Sequence, residues 1–256
     1  MMPRLSFFAA LALAACAFCA SLRAQESGPG DRFVWGQWKH DKEWNPYPQA
    51  AREALSDMEK TTSLIPADEV RALGLEDPKL FETPFLYLSG KDRLPPLTPK
   101  EIGLLRNYLT SGGFLFIEDA SGQALSSFDP WVRSQLRYVL PESPVEVLPS
   151  THAVFRAYYL IHSIGGRRVI RPHIEGADFG GRTCVIYSRN DILGTWAKDA
   201  LGNFMHHCVP GGEEQRRFAH QLLVNVVMYA LTGSYKLDAV HQPFLLQKLR
   251  QASQIP

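Results

Sequence analysis

Residues 82–119 constrain the fold more than any other stretch. Residues 84–89, Pro-Phe-Leu-Tyr-Leu-Ser, are short, aromatic and apolar at successive positions, as a strand buried on both faces should be. Gly90 ends the run. Thr98 then stands as a helix N-cap, Pro99 at the first helical position and Glu101 where a capping box needs a carboxylate. Ile102, Leu105 and Leu109 recur at helical spacing, and Gly112 and Gly113 are the residue type that closes a helix. Residues 114–117, Phe-Leu-Phe-Ile, form a second apolar strand that delivers Glu118 and Asp119 at its carboxyl end. Strand, loop, helix and strand in that order make the crossover unit of a parallel sheet. The expected fold class is α/β, a three-layer sandwich around a mostly parallel central sheet.

The rest of the chain supplies compatible elements. Residues 33–38 alternate as a first strand, with Phe33, Trp35 and Gln37 facing one way and Val34, Gly36 and Trp38 the other. A helix is expected over residues 49–60, a short strand over 61–65, and a short helix from Pro66 to about Leu73. Further on, a helix over 130–139, a strand or edge at 145–147 and a strong strand over 183–187 follow. Residues 165–181 are rich in Gly, Arg and His and read as loop. A long helix over 213–232 precedes a weakly amphipathic tail, 235–256.

The first 24 residues have the layout of a secretory signal. Arg4 gives a positive start, residues 5–15 are an apolar run too short to span a bilayer, and Leu22-Arg23-Ala24 precedes Gln25. Cleavage after Ala24 is the expectation. Lipoprotein processing at Cys16, within Leu13-Ala14-Ala15-Cys16, is a second reading, and an uncleaved anchor a third. Residues 25–31 are polar and Gly/Pro-rich, a flexible lead-in. Of 256 residues, 232 remain after removal of 24. That removal takes Arg4 and Arg23 from 27 basic side chains and leaves 25 against 26 acidic ones. A chain so nearly neutral carries no basic footprint for nucleic acid. Cys184 and Cys208 are the cysteines left, and an oxidising compartment permits a disulfide between them.

Several blocks share their order with one family. Phe85-Leu-Tyr-Leu-Ser-Gly90, Ser111-Gly-Gly113, Phe114-Leu-Phe-Ile-Glu-Asp119, His152 before Ala-Val-Phe, and Gly181-Arg182 through Asn190-Asp191 resemble the bacterial DUF4159 family over about residues 32–234. The resemblance implies a class I glutamine amidotransferase-like (flavodoxin-like) fold and no defined activity. It also implies export or membrane attachment, and partners linked to MoxR-type ATPases and von Willebrand A-type proteins. In the amidotransferases a Cys on a strand-to-helix elbow is the nucleophile. The matching strand end here reads Ile117-Glu-Asp-Ala-Ser-Gly122, without a Cys, so the glutaminase mechanism is not expected.

Glu118, Asp119, Asn190 and Asp191 should all reach the carboxyl edge of the sheet, where open α/β sheets bind ligands. Adjacent strand residues point to opposite faces, so one of Glu118 and Asp119 should face a cleft. Asp119, His152 and Asp191 are the catalytic candidates; Glu118, Asn190 and Trp35 are candidates for binding, Trp35 as one of a group with Trp38, Trp44 and Tyr47 that could line a sugar-binding face. Each has a bland alternative: Asp119 or Asp191 as a turn cap, His152 as a loop-fixing hydrogen bonder, Trp35 as core. His206-His207-Cys208 resembles a metal cluster, but three consecutive residues rarely aim at one ion, so no metal or cofactor is expected. Residues 176–181 are glycine-rich without the strand that a dinucleotide fingerprint needs, and no phosphate loop is present. The functional expectation is a non-catalytic, extracytoplasmic binding or assembly module of the cell envelope. The alternative is a hydrolase acting on a small polar or carbohydrate ligand through Asp119, His152 and Asp191.

Overall fold

The computed structural model describes residues 32–40 and 43–252, and of the last helix beyond residue 232 only the backbone. The expected signal segment, the lead-in and Cys16 lie outside the described residues. Among the described residues seven strands build one mixed sheet: β1 (Trp35–Trp38), β2 (Arg71–Leu73), β3 (Phe85–Gly90), β4 (Phe114–Asp119), β5 (Glu146–Val147), β6 (Glu175–Phe179) and β7 (Arg182–Ser188). Their order is β2-β1-β3-β4-β7-β6-β5. The first five in that order are parallel, while β6 pairs antiparallel with β7 and β5 antiparallel with β6 at one side. The α-helices are α1 (Ala50–Thr61), α2 (Pro99–Thr110), α3 (Phe128–Val139) and α4 (Gly212–Ala252). The α/β class read from the sequence is what the chain adopts.

The sheet separates two cores. Trp35, Phe85, Tyr87, Phe116 and Ile186 face Ala54 and Met58 of α1 and Leu222 and Val226 of α4. Trp38, Leu86, Leu88, Ile117 and Val185 face Leu105 and Leu109 of α2 and Val132 and Leu136 of α3. Trp35 and Trp38 therefore lie on opposite faces, as strand alternation requires. Trp35 is fully buried and its indole N–H reaches Gln37 Oε1, so it is a core residue rather than part of a ligand face.

The crossover unit forms as its sequence dictates. Thr98 Oγ1 accepts from Glu101 N, and Glu101 Oε2 accepts from Thr98 N, a complete capping box with Pro99 at the first helical position. Gly112, at φ +109°, closes α2. Arg182 donates to the carbonyls of Leu109 and Gly113, capping the other end of the same helix.

Three readings change. The expected strand over 61–65 is a connection, with only Phe33 bridging to Pro66, and the second strand is Arg71–Leu73, where a helix was expected. Residues 175–179 are a strand rather than loop. Gly180 and Gly181, both at positive φ, form the two-residue turn that folds β6 back onto β7. Helix α4 continues through the residues read as a tail. Among the described residues no helix is long and apolar enough to cross a membrane. Cys184 and Cys208 are free, buried thiols rather than a disulfide.

The chain runs from β1 outward to β2, then returns to β3 on the other side of β1. Helix α1 covers one face and α2 the other. The connections leaving β1 and β3 thus diverge at their carboxyl ends, the switch point where such sheets hold ligands.

Candidate functional site

Glu118 and Asp119 end β4 and leave it toward opposite faces. Neither reaches solvent, with 0% and 1% of the residue exposed. Glu118 turns toward α1 and α4. Its Oε2 accepts the Tyr87 hydroxyl at 2.7 Å and Leu193 N at 2.9 Å, and its Oε1 accepts Ile192 N at 2.5 Å. Burial pushes its carboxyl up to about 8, and the nearby Asp191 charge adds to the rise. Three donors favour the ionised form, but removal from water outweighs them.

Asp191 follows β7 in a left-handed conformation, φ 52°. That conformation aims its carboxylate inward. Oδ2 accepts the Tyr47 hydroxyl at 2.7 Å and forms a buried ion pair with Arg167 Nε. Burial raises the Asp191 carboxyl even against the Arg167 charge, and burial beside Asp191 raises the Tyr47 phenol. A Cβ at Gly194 would stand 2.7 Å from Asp191 Oδ2, so the turn that follows needs glycine.

Asn190, also fully buried, works as a clamp. Its Oδ1 accepts Ile170 N and Arg171 N, and its Nδ2 donates to Arg171 O. A Cβ at Gly166 would lie 2.1 Å from Asn190 O, and one at Gly165 would meet the α4 backbone at 2.2 Å. The Gly165-Gly166 pair therefore lets the chain thread between α4 and the loop after β7, which brings Arg167 to Asp191.

Asp119 belongs to a second network, on the α3 side. Its Oδ1 accepts Ser121 N, and Arg189 Nε stands 3.8 Å from Oδ2. Arg189 also donates to Ala124 O and faces Asp129 at 3.7 Å, while Asp129 accepts from Tyr187 and Arg133. His152 is elsewhere. Its Nδ1 accepts Val154 N, and its Nε2 meets Thr183 Oγ1 at the amino end of β7. From Thr183 to Ser188 the strand advances roughly 16 Å, so His152 and Asp191 occupy opposite edges of the sheet. The three candidate catalytic residues do not converge.

What opens to solvent at this edge is a cleft above the Tyr47–Asp191 bond. It encloses about 310 Å³ and is lined by Pro46, Tyr47, Lys91, Lys198, Met205 and His206, among others. Tyr47 comes from the loop after β1 and Lys91 from the residue after β3, so the cleft sits at the switch point. Lys91 Nζ lies 5.8 Å from the Tyr47 ring centroid, and the His206 ring lies 5.7 Å from it edge-on. Burial, then the Arg167 charge, hold His206 below its usual range.

A family model described as "Domain of unknown function (DUF4159)" matches residues 35–231. The chain belongs to the DUF4159 family. No curated protein matches it. In this DUF4159 domain the matched span covers every strand and the part of α4 that packs on the sheet.

Chemically, the buried acids of the domain hold loops in place. Glu118 ties β3 and β4 to the turn after β7, Asp191 ties the β1 loop to Arg167, and Asn190 fixes residues 170–171. Among the described residues no three His, Cys, Asp or Glu side chains gather to hold a metal ion. His206 lines the cleft, and burial raises the Cys208 thiol.

Sequence reasoning found Glu118, Asn190 and Asp191, and named Tyr47 among aromatic candidates for a ligand face, but missed Tyr87, Arg167 and Lys91. Tyr87 left a trace: a tyrosine in a fully buried strand needs an acceptor for its hydroxyl, and Glu118 ends the neighbouring strand. Lys91 immediately follows a strand at its carboxyl end. The bonds of Tyr47 and Arg167 to Asp191 left no local trace, since the two residues lie 144 and 24 positions from that shared partner.

Proposed function

We propose that this DUF4159 domain is an extracytoplasmic binding or assembly module of the bacterial cell envelope, with a carboxyl edge built to present loops rather than to perform acid–base chemistry. One observation carries the reading. Glu118, Asn190 and Asp191, where an α/β enzyme would place its reactive groups, are each bonded to the protein's own backbone, tyrosines or arginine. A general acid or base has to reach a substrate proton within hydrogen-bond distance or through one water, and these groups are enclosed. The parallel strands, numbered among themselves, run 2-1-3-4-5, which supports the flavodoxin-like arrangement that amidotransferase-like folds share. The signal-like layout of residues 1–24 supports export.

The test is production of the full chain in a bacterial host, followed by fractionation, intact-mass measurement and chemical cross-linking of the envelope. The expected result is periplasmic protein beginning at Gln25, cross-linked to envelope proteins. Cytoplasmic protein retaining Met1, or a chain that cross-links to nothing, overturns the proposal.

A further inference from the structure

We propose that the switch-point cleft binds a small oxyanion, a carboxylate or a phosphate ester, carried on a flat apolar body. The inference rests on the binding-module reading and names the ligand class for the same edge.

Charge is the first argument. Lys91, Lys198 and His206 line the cleft, and among the described residues no carboxylate does. The acids that the cleft's own side chains meet are already engaged: Glu53 pairs with Lys198, and Asp191 is held by Tyr47 and Arg167. Lys91 has no ion-pair partner among the described residues, so its ammonium is available. Arg167, behind the floor, offsets the charge of the Asp191 carboxylate. His206, held neutral near pH 7, can donate one N–H to a bound oxyanion without carrying charge.

Shape is the second. Pro46, the Tyr47 ring and Met205 give apolar walls, and Met205, 59% exposed, is an unbranched thioether that can adjust to a ring. About 310 Å³ is at the small end of ligand sites, which fits a single ring with one charged group. The floor is rigid. Tyr47 is anchored through its hydroxyl to a buried carboxylate that is itself ion-paired, so the ring is held before any ligand arrives.

Position is the third. In open α/β sheets the crevice outside the strand ends, where the order reverses, is where ligands bind. Here that crevice is the cleft between the β1 and β3 loops.

The test is isothermal titration calorimetry of the full chain at pH 7.5 and low ionic strength with phenyl phosphate, benzoate, inorganic phosphate and benzyl alcohol. At least one of the two aromatic anions should saturate, at least tenfold tighter than benzyl alcohol and severalfold tighter than inorganic phosphate. Preference for phenyl phosphate assigns a phosphate ester, and preference for benzoate a carboxylate. Lys91→Gln should weaken the preferred anion about tenfold, as loss of a charge-assisted contact does. Lys100→Gln, on α2 and paired with Glu76, should leave it unchanged. Absence of saturation by both aromatic anions overturns the inference. So does equal binding of benzyl alcohol, equal binding of inorganic phosphate, or unchanged affinity in both Lys91→Gln and Lys198→Gln. Such a result with envelope cross-links intact removes the ligand class alone; loss of the cross-links removes the broader reading.

Discussion

Replacing Glu118 by Gln should reverse the sign of its effect on stability between acid and alkaline pH. The Glu118 carboxyl has a folded value of about 8 against an ordinary 4.5. Between those two values the folded chain keeps a proton that the unfolded chain gives up, so rising pH favours unfolding. The stability contributed by protonated Glu118 is whole below pH 4.5 and is lost as pH rises through 8. At 1.36 kcal/mol per unit, the loss across the window is about 5 kcal/mol. Glu118→Gln keeps the shape but sets an amide N–H₂ against the backbone N–H of Ile192 or Leu193. One buried donor then goes unmatched, at a cost of about 2 kcal/mol. The variant should therefore be about 1 kcal/mol less stable than the parent at pH 5 and about 3 kcal/mol more stable at pH 9. Urea unfolding followed by the fluorescence of buried Trp35, Trp38 and Trp196 would read this as midpoints that cross at about pH 6. Taking the difference between the two proteins cancels the slopes of all other groups. A constant offset from pH 5 to pH 9 would show that Glu118 is ionised throughout and that burial does not outweigh its three donors.

Arg167→Met should destabilise the fold by about 3 kcal/mol in the same assay, because it leaves the buried Asp191 carboxylate without its counter-ion. Arg167→Met combined with Asp191→Asn should recover part of that loss; no recovery would mean the pair is not coupled. His220, stacked on Trp196, is held down to about 4 by burial, so its neutral form contributes stability that is present above pH 6.5 and lost as pH falls through 4. His220→Phe should flatten the acid limb of a pH–melting curve, and an unchanged limb would count against this. His152→Ala should lower the melting temperature while leaving anion affinity at the switch-point cleft as it was, since His152 serves the opposite edge of the sheet; a loss of affinity would contradict that placement.

The parts of the fold that could be read from the chain are those whose causes are local. Thr98, Pro99 and Glu101 lie within one turn, and the capping box they announce is the one that forms. Strand β2 has no such cause. Arg71-Ala72-Leu73 contains no β-branched or aromatic residue and becomes a strand by pairing with β1, while Leu64 and Ile65 look like a strand and only connect. Strand β6 was hidden by Gly176 and Asp178, both poor strand formers, although the Gly180-Gly181 turn beside it was visible. At the site, sequence pointed to the right carboxylates but to the wrong state. Strand ends are where ligands bind, so Glu118 and Asp191 were expected in a cleft. What encloses them is Tyr47, Tyr87 and Arg167, brought in by topology and by a glycine pair whose purpose appears only once Asn190 and α4 stand on either side of it.

The sheet's two borders have a bearing on how the domain can join larger structures. β2 offers three residues at one border and β5 two at the other. Neither gives an incoming extended peptide enough consecutive amide and carbonyl groups to register against. Among the described residues, short borders therefore disfavour recruitment by strand addition at both ends. Multimerisation through its borders would need a separate rearrangement, and contact with other molecules falls to the loop-bearing faces at the strand ends and to the outer surfaces of the helices.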